Sequence, residues 1–179
     1  MENQLMTLIT QEVGSLIGIW SEAEIACEPV EQGAVRRFAQ AIMDDDPTYA
    51  NNAGMDTRYG GPIAPPLFPN HMLRRRLGLC DPVQERAGDP DFDGVMPTIG
   101  LPQITALAHL PILNGGSEFE FFRYARHGES VCFRQRYAEI FERVSSKGKL
   151  IVVVIEGEIT TTGGETLLKS RRTLLRRSQ

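Results

Sequence analysis

An α+β domain is predicted, in which helices come first and an antiparallel sheet follows. One amphipathic helix is expected because four apolar residues recur at helical spacing and form a single stripe, at Val35, Phe38, Ala39 and Ile42. The C-terminal third contains four segments rich in residues typical of strands, separated by glycine-containing turns. These patterns indicate a meander of strands packed against helices.

The N-terminal half is predicted to contain one short strand and two helices. The strand covers 24–30 and is ended by Pro29. The amphipathic helix follows, and it cannot continue through Pro47. A second helix begins after 60–64 and ends near Gly78. It is expected to be largely buried through Leu67, Phe68, Met72, Leu73 and Leu77.

The four predicted strands cover 118–121, 130–141, 150–155 and 166–176. The run at 150–155 contains no polar residue, whereas a strand with one solvated face alternates. Two explanations remain open for it. Either self-association or a partner subunit covers the second face, or the run is the central strand of a strongly curved sheet.

The chain has 179 residues, which is enough for one sizeable core and short for two. We therefore expect a single domain over 1–179, with an N-terminal extension at about 1–22 that includes a short helix within 11–19. The segment at about 81–103 is rich in Pro, Gly and Asp and is longer than an ordinary connection. It is either a functional flap or partly disordered.

The composition argues against several classes of partner. A formal charge of −4 disfavours general nucleic-acid binding, and no run approaches the ~20 apolar residues of a membrane span. Cys27, Cys80 and Cys132 show neither disulfide nor zinc spacing, and the three histidines show no metal-ligand spacing. No metal is expected, and three reduced cysteines fit the cytoplasm.

Two motifs carry a resemblance to a known family. Met-Asp-Asp-Asp-Pro-Thr-Tyr at 43–49, followed by Gly-Gly-Pro-Ile-Ala-Pro-Pro-Leu-Phe at 60–68, resembles the MaoC-type (R)-specific enoyl-CoA hydratases. In particular, it is similar to the N-terminal, FAS1-like dehydratase type of hot-dog domain. The segments 113–123 and 126–129 look like the same family's second and third strands and the turn between them. The resemblance covers about 30–176 and implies a hot-dog fold, an antiparallel sheet wrapped around a central buried helix.

The resemblance also implies a mechanism that this chain only partly matches. In catalytic members an Asp and a His orient and deprotonate a water that adds to C3 of a trans-2-enoyl thioester. Here Asp44 occupies the Asp position, Asp46 replaces the usual Asn, and Tyr49 stands where the His would be. Tyrosine, with a pKa near ~10, is a poor general base at neutral pH. Packing or pocket lining is therefore favoured for Tyr49, and Asp44 either activates water or is a solvated carboxylate.

A second departure concerns the oxyanion hole. Catalytic members, as the resemblance implies, read Ala-His-Gly where this chain has Ala64, Pro65 and Pro66, and the Gly supplies an N–H to the thioester oxygen. Proline has no N–H, and losing one such donor typically costs ~3–4 kcal/mol in the transition state. The chain then resembles the non-catalytic unit of a hydratase pair, which helps to shape the acyl pocket.

The substrate-binding residues implied by the resemblance lie around the second helix: Gly61, Ile63, Ala64, Pro65, Phe68, His71 and Met72. The acyl chain would follow the helix, with 81–103 as a lid. A lone histidine on an apolar helix favours a core or pocket position for His71, and His127 is interpreted as a turn residue. Of the consecutive Arg74, Arg75 and Arg76, at most one faces a CoA phosphate, because they fan around the helix.

The function inferred from these residues is a MaoC-like acyl-CoA hydratase or dehydratase subunit that acts with a catalytic hot-dog partner or a second copy of itself. Its substrate would be 2-enoyl-CoA or 3-hydroxyacyl-CoA, with no further cofactor. Two alternatives remain open. One is a stand-alone hydratase or acyl-CoA thioesterase that uses Asp44, and the other is a purely structural subunit.

Overall fold

The computed structural model describes residues 7–49, 58–73, 78–90, 92, 96, 98–145 and 148–177. Its helices are α1 (Gln11–Ser15), α2 (Gln32–Ala41), α3 (Phe68–His71) and α4 (Pro82–Glu85), with 3-10 turns at Pro47–Tyr49 and Thr105–Leu107. Its strands are β1 (Glu24–Ile25), β2 (Ile112–Phe121), β3 (Val131–Ser145), β4 (Gly148–Thr161) and β5 (Thr166–Arg177).

The strands form one antiparallel sheet in the order β1-β3-β4-β5-β2. The α+β prediction is confirmed, and so are the four C-terminal strands. The first strand is shorter than predicted, because it pairs with β3 only at Glu24 and Ile25. The strand β2 is longer than predicted and lies at the edge of the sheet, where it pairs with β5.

The apolar run at 150–155 lies in β4, the central strand of the sheet. Ile151, Val153 and Ile155 point to the inner face of the sheet, so Val152 and Val154 point outward. These two are nevertheless only 6% and 5% exposed. Since the chain itself buries both faces of this run, the run does not require a partner, and its central position in the sheet agrees with the second explanation.

The inner face of the sheet carries two hydrophobic clusters. We call the first the loop-covered core, because residues 98–110 and α1 cover it; it consists of Val13, Ile104, Leu107, Leu110, Tyr137, Ile140, Ile151, Val153, Ile155 and Leu174. We call the second the helix-covered core, to which α2 and α3 contribute; it consists of Ala26, Val30, Val35, Ala64, Phe68, Ala125, Val131, Ile159, Leu167 and Leu168.

The amphipathic helix is confirmed as α2, with Val35 and Ala39 buried and Phe38 half-buried. Ile42 was predicted on the same stripe, but it lies beyond the helix end and is 48% exposed. The second helix is a single turn, α3, in contrast to the long helix predicted. Leu67 precedes it and is 40% exposed. The predicted continuation through 74–77, including the three arginines, lies outside the described residues.

The N-terminal extension is attached to β3. Ile17 forms a parallel bridge with Tyr137, and Trp20 forms an antiparallel bridge with Arg136. Farther back, the Leu8 N–H donates to Glu142 Oε1 at 2.6 Å. The extension is therefore part of the folded unit over its described residues.

The segment predicted as a flap is also attached to the sheet near its end. Tyr137 Oη donates to the Pro102 carbonyl at 2.9 Å, and the Gln135 side chain donates to the Ile99 carbonyl. Residues that follow immediately, such as Ile104 and Leu107, are buried in the loop-covered core. This end of the segment is a structural cover, which argues against its acting as a lid.

Candidate functional site

The chain reverses direction directly after α2, at the start of the acidic motif. The Met43 N–H donates to the Gln40 carbonyl at 3.2 Å, and the Asp44 N–H donates to the Ala39 carbonyl at 2.9 Å. This pair of bonds is a Schellman motif, and Met43 holds the left-handed position with φ 57°. Glycine usually occupies that position, so a strained backbone leads into Asp44.

Local hydrogen bonds organise the loop between Asp44 and Tyr49. The Asp46 N–H donates to Asp44 Oδ1 at 3.2 Å, and Asp46 Oδ1 accepts the Thr48 N–H at 2.8 Å as well as the Thr48 hydroxyl. These bonds from Thr48 lower the pKa of Asp46. The acidic run therefore follows the helix cap instead of lying in the last turn, and the structure gives Asp46 a capping role.

Tyr49 is half-buried against the helix-covered core. Burial, and then the charge of Asp44 and the neighbouring Tyr124, raise the pKa of Tyr49 to about 12. The phenol therefore stays protonated at neutral pH and can donate a hydrogen bond but cannot accept a proton from water. This result strengthens the sequence argument that Tyr49 does not replace a histidine base.

The segment at 60–66 lies against residues 125–127. Ile63 forms an antiparallel bridge with Arg126, the Ala64 N–H donates to the Ala125 carbonyl at 2.9 Å, and the His127 N–H donates to the Pro62 carbonyl at 3.0 Å. The N–H of Ala64 is thus already engaged, and Pro65 and Pro66 have none. Three consecutive residues before α3 therefore have no N–H to offer to a substrate oxygen.

The residues assigned to the acyl chain do not share one environment. Phe68 is 1% exposed, with its ring 5.5 Å from that of Phe38 in an edge-to-face contact. His71 was expected in the core or a pocket, but it is exposed, and its ring lies 5.5 Å from Phe38. Met72 is half-buried beside the helix-covered core.

The turn between β2 and β3 is held by a group that the sequence analysis missed. Arg123 donates from both Nη atoms to Glu129 at 2.9 Å each, and also to Glu165 at 2.5 Å. Glu129 additionally accepts the Arg126 N–H at 2.9 Å. Burial alone would raise the pKa of Glu129, but these bonds outweigh it and lower the pKa. No periodic pattern marks such a pair, because its members come together through a turn.

His127 follows in the same turn, as predicted, but its ring is half-buried. Its Nε2 is buried and has no hydrogen-bond partner among the described residues. Burial lowers the pKa of His127, although the Ile63 carbonyl acts in the opposite direction. The imidazole is therefore disfavoured in its charged form.

A cleft of about 290 Å³ opens beside this turn, lined by Arg58, Tyr59, Ile63, Phe122, Arg123, Tyr124 and Arg126. The Tyr59 and Tyr124 rings meet edge to face at 5.2 Å, and the Arg58 guanidinium lies 4.4 Å from the centre of the Tyr59 ring. The charges of Tyr59, Tyr124 and Asp44 contribute to the raised pKa of Tyr49. The cleft therefore lies beside the acidic motif. No motif or periodic pattern in the sequence marks these aromatic residues.

Within the described part of the chain, no group of three His, Cys, Asp or Glu side chains is arranged to hold a metal ion. In the same residues, no helix is long and apolar enough to cross a membrane.

The sheet with its short helices on the inner face defines a hot-dog fold, and solved structures share it. The ChsH1-ChsH2 complex from Mycobacterium tuberculosis superposes with a TM-score of 0.65 at 17% identity, covering 89% of this chain and 86% of that chain. The HadBC (3R-hydroxyacyl-ACP dehydratase) complex from the same organism gives 0.56 at 18%, covering 89% and 96%. The R-hydratase PhaJ1 from Pseudomonas aeruginosa gives 0.55 at 11%, covering 91% and 83%.

Residues 15–170 match the family described as "FAS1-like, dehydratase domain region", and the chain belongs to that family. A comparison with curated proteins finds no match. The resemblance to MaoC-like dehydratases is thereby confirmed, and a further structural neighbour is a MaoC-like dehydratase from Rhodospirillum rubrum, with a TM-score of 0.56 at 18% identity, covering 91% of this chain and 93% of that chain.

Proposed function

We propose that this chain is the incomplete subunit of an acyl-CoA hydratase or dehydratase, a hydro-lyase that needs a catalytic hot-dog partner. It would bind 2-enoyl-CoA or 3-hydroxyacyl-CoA and support the reversible addition of water, in the cytoplasm. The observation that carries the proposal is that Tyr49, at the position where the family resemblance expects a base, keeps its proton, and that residues 64–66 offer no free N–H.

The missing base is supported by the state of Tyr49. With its pKa raised to about 12, this phenol holds its proton throughout the physiological range. Asp44 lies close enough to contribute to that shift, so the acid of the family pair is present while its partner is not. General acid–base catalysis contributes about 10²–10⁴-fold, and most of that factor would be absent here.

The missing oxyanion donor is supported by the start of α3. The Ala64 N–H is bonded to Ala125, and the two prolines that follow cannot donate. Because the stabilisation of a developing oxyanion depends on such preorganised donors, this chain alone would bind a thioester without activating it. An active thioester site would then come from another subunit.

The edge strand β2 supports the expectation of a partner. All ten of its residues are exposed, and Leu113, Phe119 and Phe121 are 50%, 37% and 47% exposed. The two phenylalanine rings stack at 6.2 Å on this edge. A long apolar edge strand invites pairing with another sheet, and two neighbours, ChsH1-ChsH2 and HadBC, are named as complexes. A second copy would also fit the edge, but it would not supply the missing histidine.

The proposal is tested by restoring the two lost groups in the purified chain. The variant Tyr49→His with Pro66→Gly and the matched control Tyr49→Phe with Pro66→Gly are assayed with a panel of 2-enoyl-CoAs, following loss of the conjugated thioester absorbance. Wild type and control should be inactive, and the histidine variant should gain at least about 10²-fold over the control. Adding Asp44→Asn to the histidine variant should remove the gain.

Other outcomes would support the alternatives. Hydration by the wild-type chain alone, abolished by Asp44→Asn, would contradict the proposal and identify a self-sufficient hydratase. Release of free CoA would identify a thioesterase. A wild-type chain that shows no binding of a 3-hydroxyacyl-CoA by calorimetry would leave only a structural subunit.

A further inference from the structure

Two surface cavities of this chain differ in their charge balance. The larger one, about 640 Å³, lies across the outer face of the sheet and is lined by equal numbers of acids and bases, namely Glu118, Glu120, Glu156, Glu158, Arg134, Arg136, Lys169 and Arg171. Its members pair with one another, as in Arg134 to Glu158 at 2.7 Å and Arg136 to Glu156 at 2.8 Å. The four acids and four bases of this cross-strand ladder balance, so the cavity has no excess charge for a ligand.

The smaller cleft, lined by Arg58, Tyr59, Ile63, Phe122, Arg123, Tyr124 and Arg126, contains three arginines and no acid. Glu129 and Glu165 neutralise Arg123, and both carboxylate oxygens of Glu129 are already occupied. Among the described residues, no carboxylate forms an ion pair with the Arg126 guanidinium. The lining of the cleft is therefore rich in arginine on a chain whose formal charge is −4, while the charge of Arg58 acts on Asp46 and that of Arg126 acts on Glu129.

The backbone holds Arg126 in a defined position. Arg126 forms an antiparallel bridge with Ile63, and the Arg126 N–H donates to Glu129 Oε2 at 2.9 Å. The guanidinium lies over Gly60, where an added Cβ would stand 3.5 Å from Cζ and Nη2 of Arg126. Gly60 has φ +71°, a left-handed conformation that favours glycine, and the guanidinium lies at van der Waals distance from this turn. A preorganised arginine loses little freedom when it binds an anion.

The position of the cleft suggests which anion it receives. Ile63 lines the cleft and directly precedes Ala64 and Pro65, which the family resemblance places at the substrate. Tyr59 and Tyr124 add flat apolar surface beside the guanidinium groups. Arginine binds phosphate through parallel N–H bonds, and a phosphate is the anion common to every pantetheine-borne acyl substrate.

We propose that this cleft binds the phosphate of the phosphopantetheine arm that carries the acyl group, with Arg126 as its principal ligand. The inference rests on the proposed function, since it assumes an acyl thioester at the neighbouring segment. The phosphate can belong to CoA or to the prosthetic arm of a carrier protein, and the chemistry of recognition is shared.

The test compares three soluble probes on the whole chain by calorimetry: pantetheine, 4′-phosphopantetheine and CoA. Wild type should bind 4′-phosphopantetheine roughly tenfold more tightly than pantetheine, because one charged hydrogen-bond pair is gained. Arg126→Ala should abolish this preference, and Arg126→Lys should keep part of it. The control Arg134→Ala, in the self-paired ladder, should keep all of it.

Two results would overturn the proposal: equal affinity of wild type for pantetheine and 4′-phosphopantetheine, or a preference that survives Arg126→Ala. If Arg126→Ala loses its native circular dichroism, the salt dependence of wild type decides. Raising the salt concentration from about 0.05 M to 0.5 M should weaken the binding of 4′-phosphopantetheine and leave the binding of pantetheine unchanged. Any other pattern contradicts the proposal. Tighter binding of CoA than of 4′-phosphopantetheine supports the proposal and indicates that the phosphate comes from CoA. Equal binding supports the proposal and indicates the prosthetic arm of a carrier protein.

Failure of this proposal and failure of the proposed function are distinguishable. The three probes carry no acyl group and undergo no reaction, so their affinities do not depend on the acid–base or oxyanion chemistry proposed for Asp44, Tyr49 and Pro66. The restored hydration of the Tyr49→His and Pro66→Gly variant is in turn measured at saturating substrate, where a weakened phosphate contact would raise KM and leave kcat unchanged.

Discussion

The two cores of the sheet are covered in different ways. Over the helix-covered core, α2 satisfies its own backbone, and Val35 and Phe68 bury apolar side chains at 0% and 1% exposure. Over the loop-covered core, the carbonyls of residues 98–110 need partners from the sheet. Arg176 donates to the Leu107 and Leu110 carbonyls at 2.6 and 3.0 Å, and Tyr137 donates to Pro102. An irregular cover therefore requires polar side chains on the inner face of the sheet.

This requirement changes the sheet itself. Arg176 lies among buried apolar residues, and burial lowers its pKa. Its contacts with two carbonyls offset the cost of placing a cation there. The candidate site, in contrast, belongs entirely to the helix-covered half, where Tyr49 and Ala64 contact the core. The polar side chains that hold residues 98–110 and the candidate functional groups thus occupy separate halves of one sheet.

The largest expected effect compares a deletion in each core. Phe68→Ala should cost about 3–5 kcal/mol of unfolding free energy and Leu107→Ala about 2–5 kcal/mol, because each side chain is almost fully buried and would leave a cavity. Urea denaturation of both variants measures these losses. Ile42→Ala is the matched control, since its exposed side chain should change the free energy by less than about 0.5 kcal/mol.

The outcome for Leu107 decides how the two halves are related. A cooperative loss in Leu107→Ala would show that residues 98–110 belong to the same folding unit as the helices. An unchanged free energy of unfolding would mean that this cover detaches before the sheet unfolds. That result would support the expectation that the segment acts as a lid.

A smaller, stabilising effect is expected at the junction that leads into the site. Met43→Gly should raise the free energy of unfolding by about 0.5–1 kcal/mol, because glycine adopts the left-handed conformation without the penalty of about 1–2 kcal/mol that other residues have. Its side chain is 89% exposed, so few contacts are lost. Met43→Ala keeps the strain and should show no gain; equal gains in both variants would argue against the backbone explanation.

The smallest effect is a pH dependence from the turn beside the cleft. Because burial lowers the pKa of His127, the unfolded chain binds a proton more readily than the folded chain. Stability from this group is present above about 6.5, the ordinary pKa of histidine, and is lost as the pH falls toward its lower folded-state value. Glu129, whose pKa is also lowered, contributes a similar loss only below about 4.5.

The measurement is chemical denaturation of wild type and His127→Phe between about pH 7.5 and 5.5. Wild type should lose more stability than the variant across this window, since the phenyl ring does not titrate. Parallel curves for the two proteins would show that the buried Nε2 imposes no penalty on protonation.

Much of the sheet and the main helix could be predicted from sequence because their signals are local. The stripe on α2 and the strand-forming residues between the turns of the C-terminal third are patterns that depend on neighbours a few residues away. The expectation that Tyr49 stands in place of a base and Pro66 in place of a donor came from the family resemblance and stays a prediction. The length of α3 and the exposure of His71 could not be predicted, because apolar composition alone does not show where a helix ends.

Residue order was thus sufficient for the α+β class and for the order of the strands along the chain, since propensity and periodicity are properties of short segments. Tertiary structure alone decided that residues 98–110 cover a core, that Arg123 clamps Glu129 and that Arg126 faces a cleft without acids. These features depend on contacts between distant parts of the chain, as between Arg176 and the Leu107 carbonyl 69 residues away. No local sequence pattern predicts such pairings, because burial and charge balance are determined only when the helices and loops pack against the sheet.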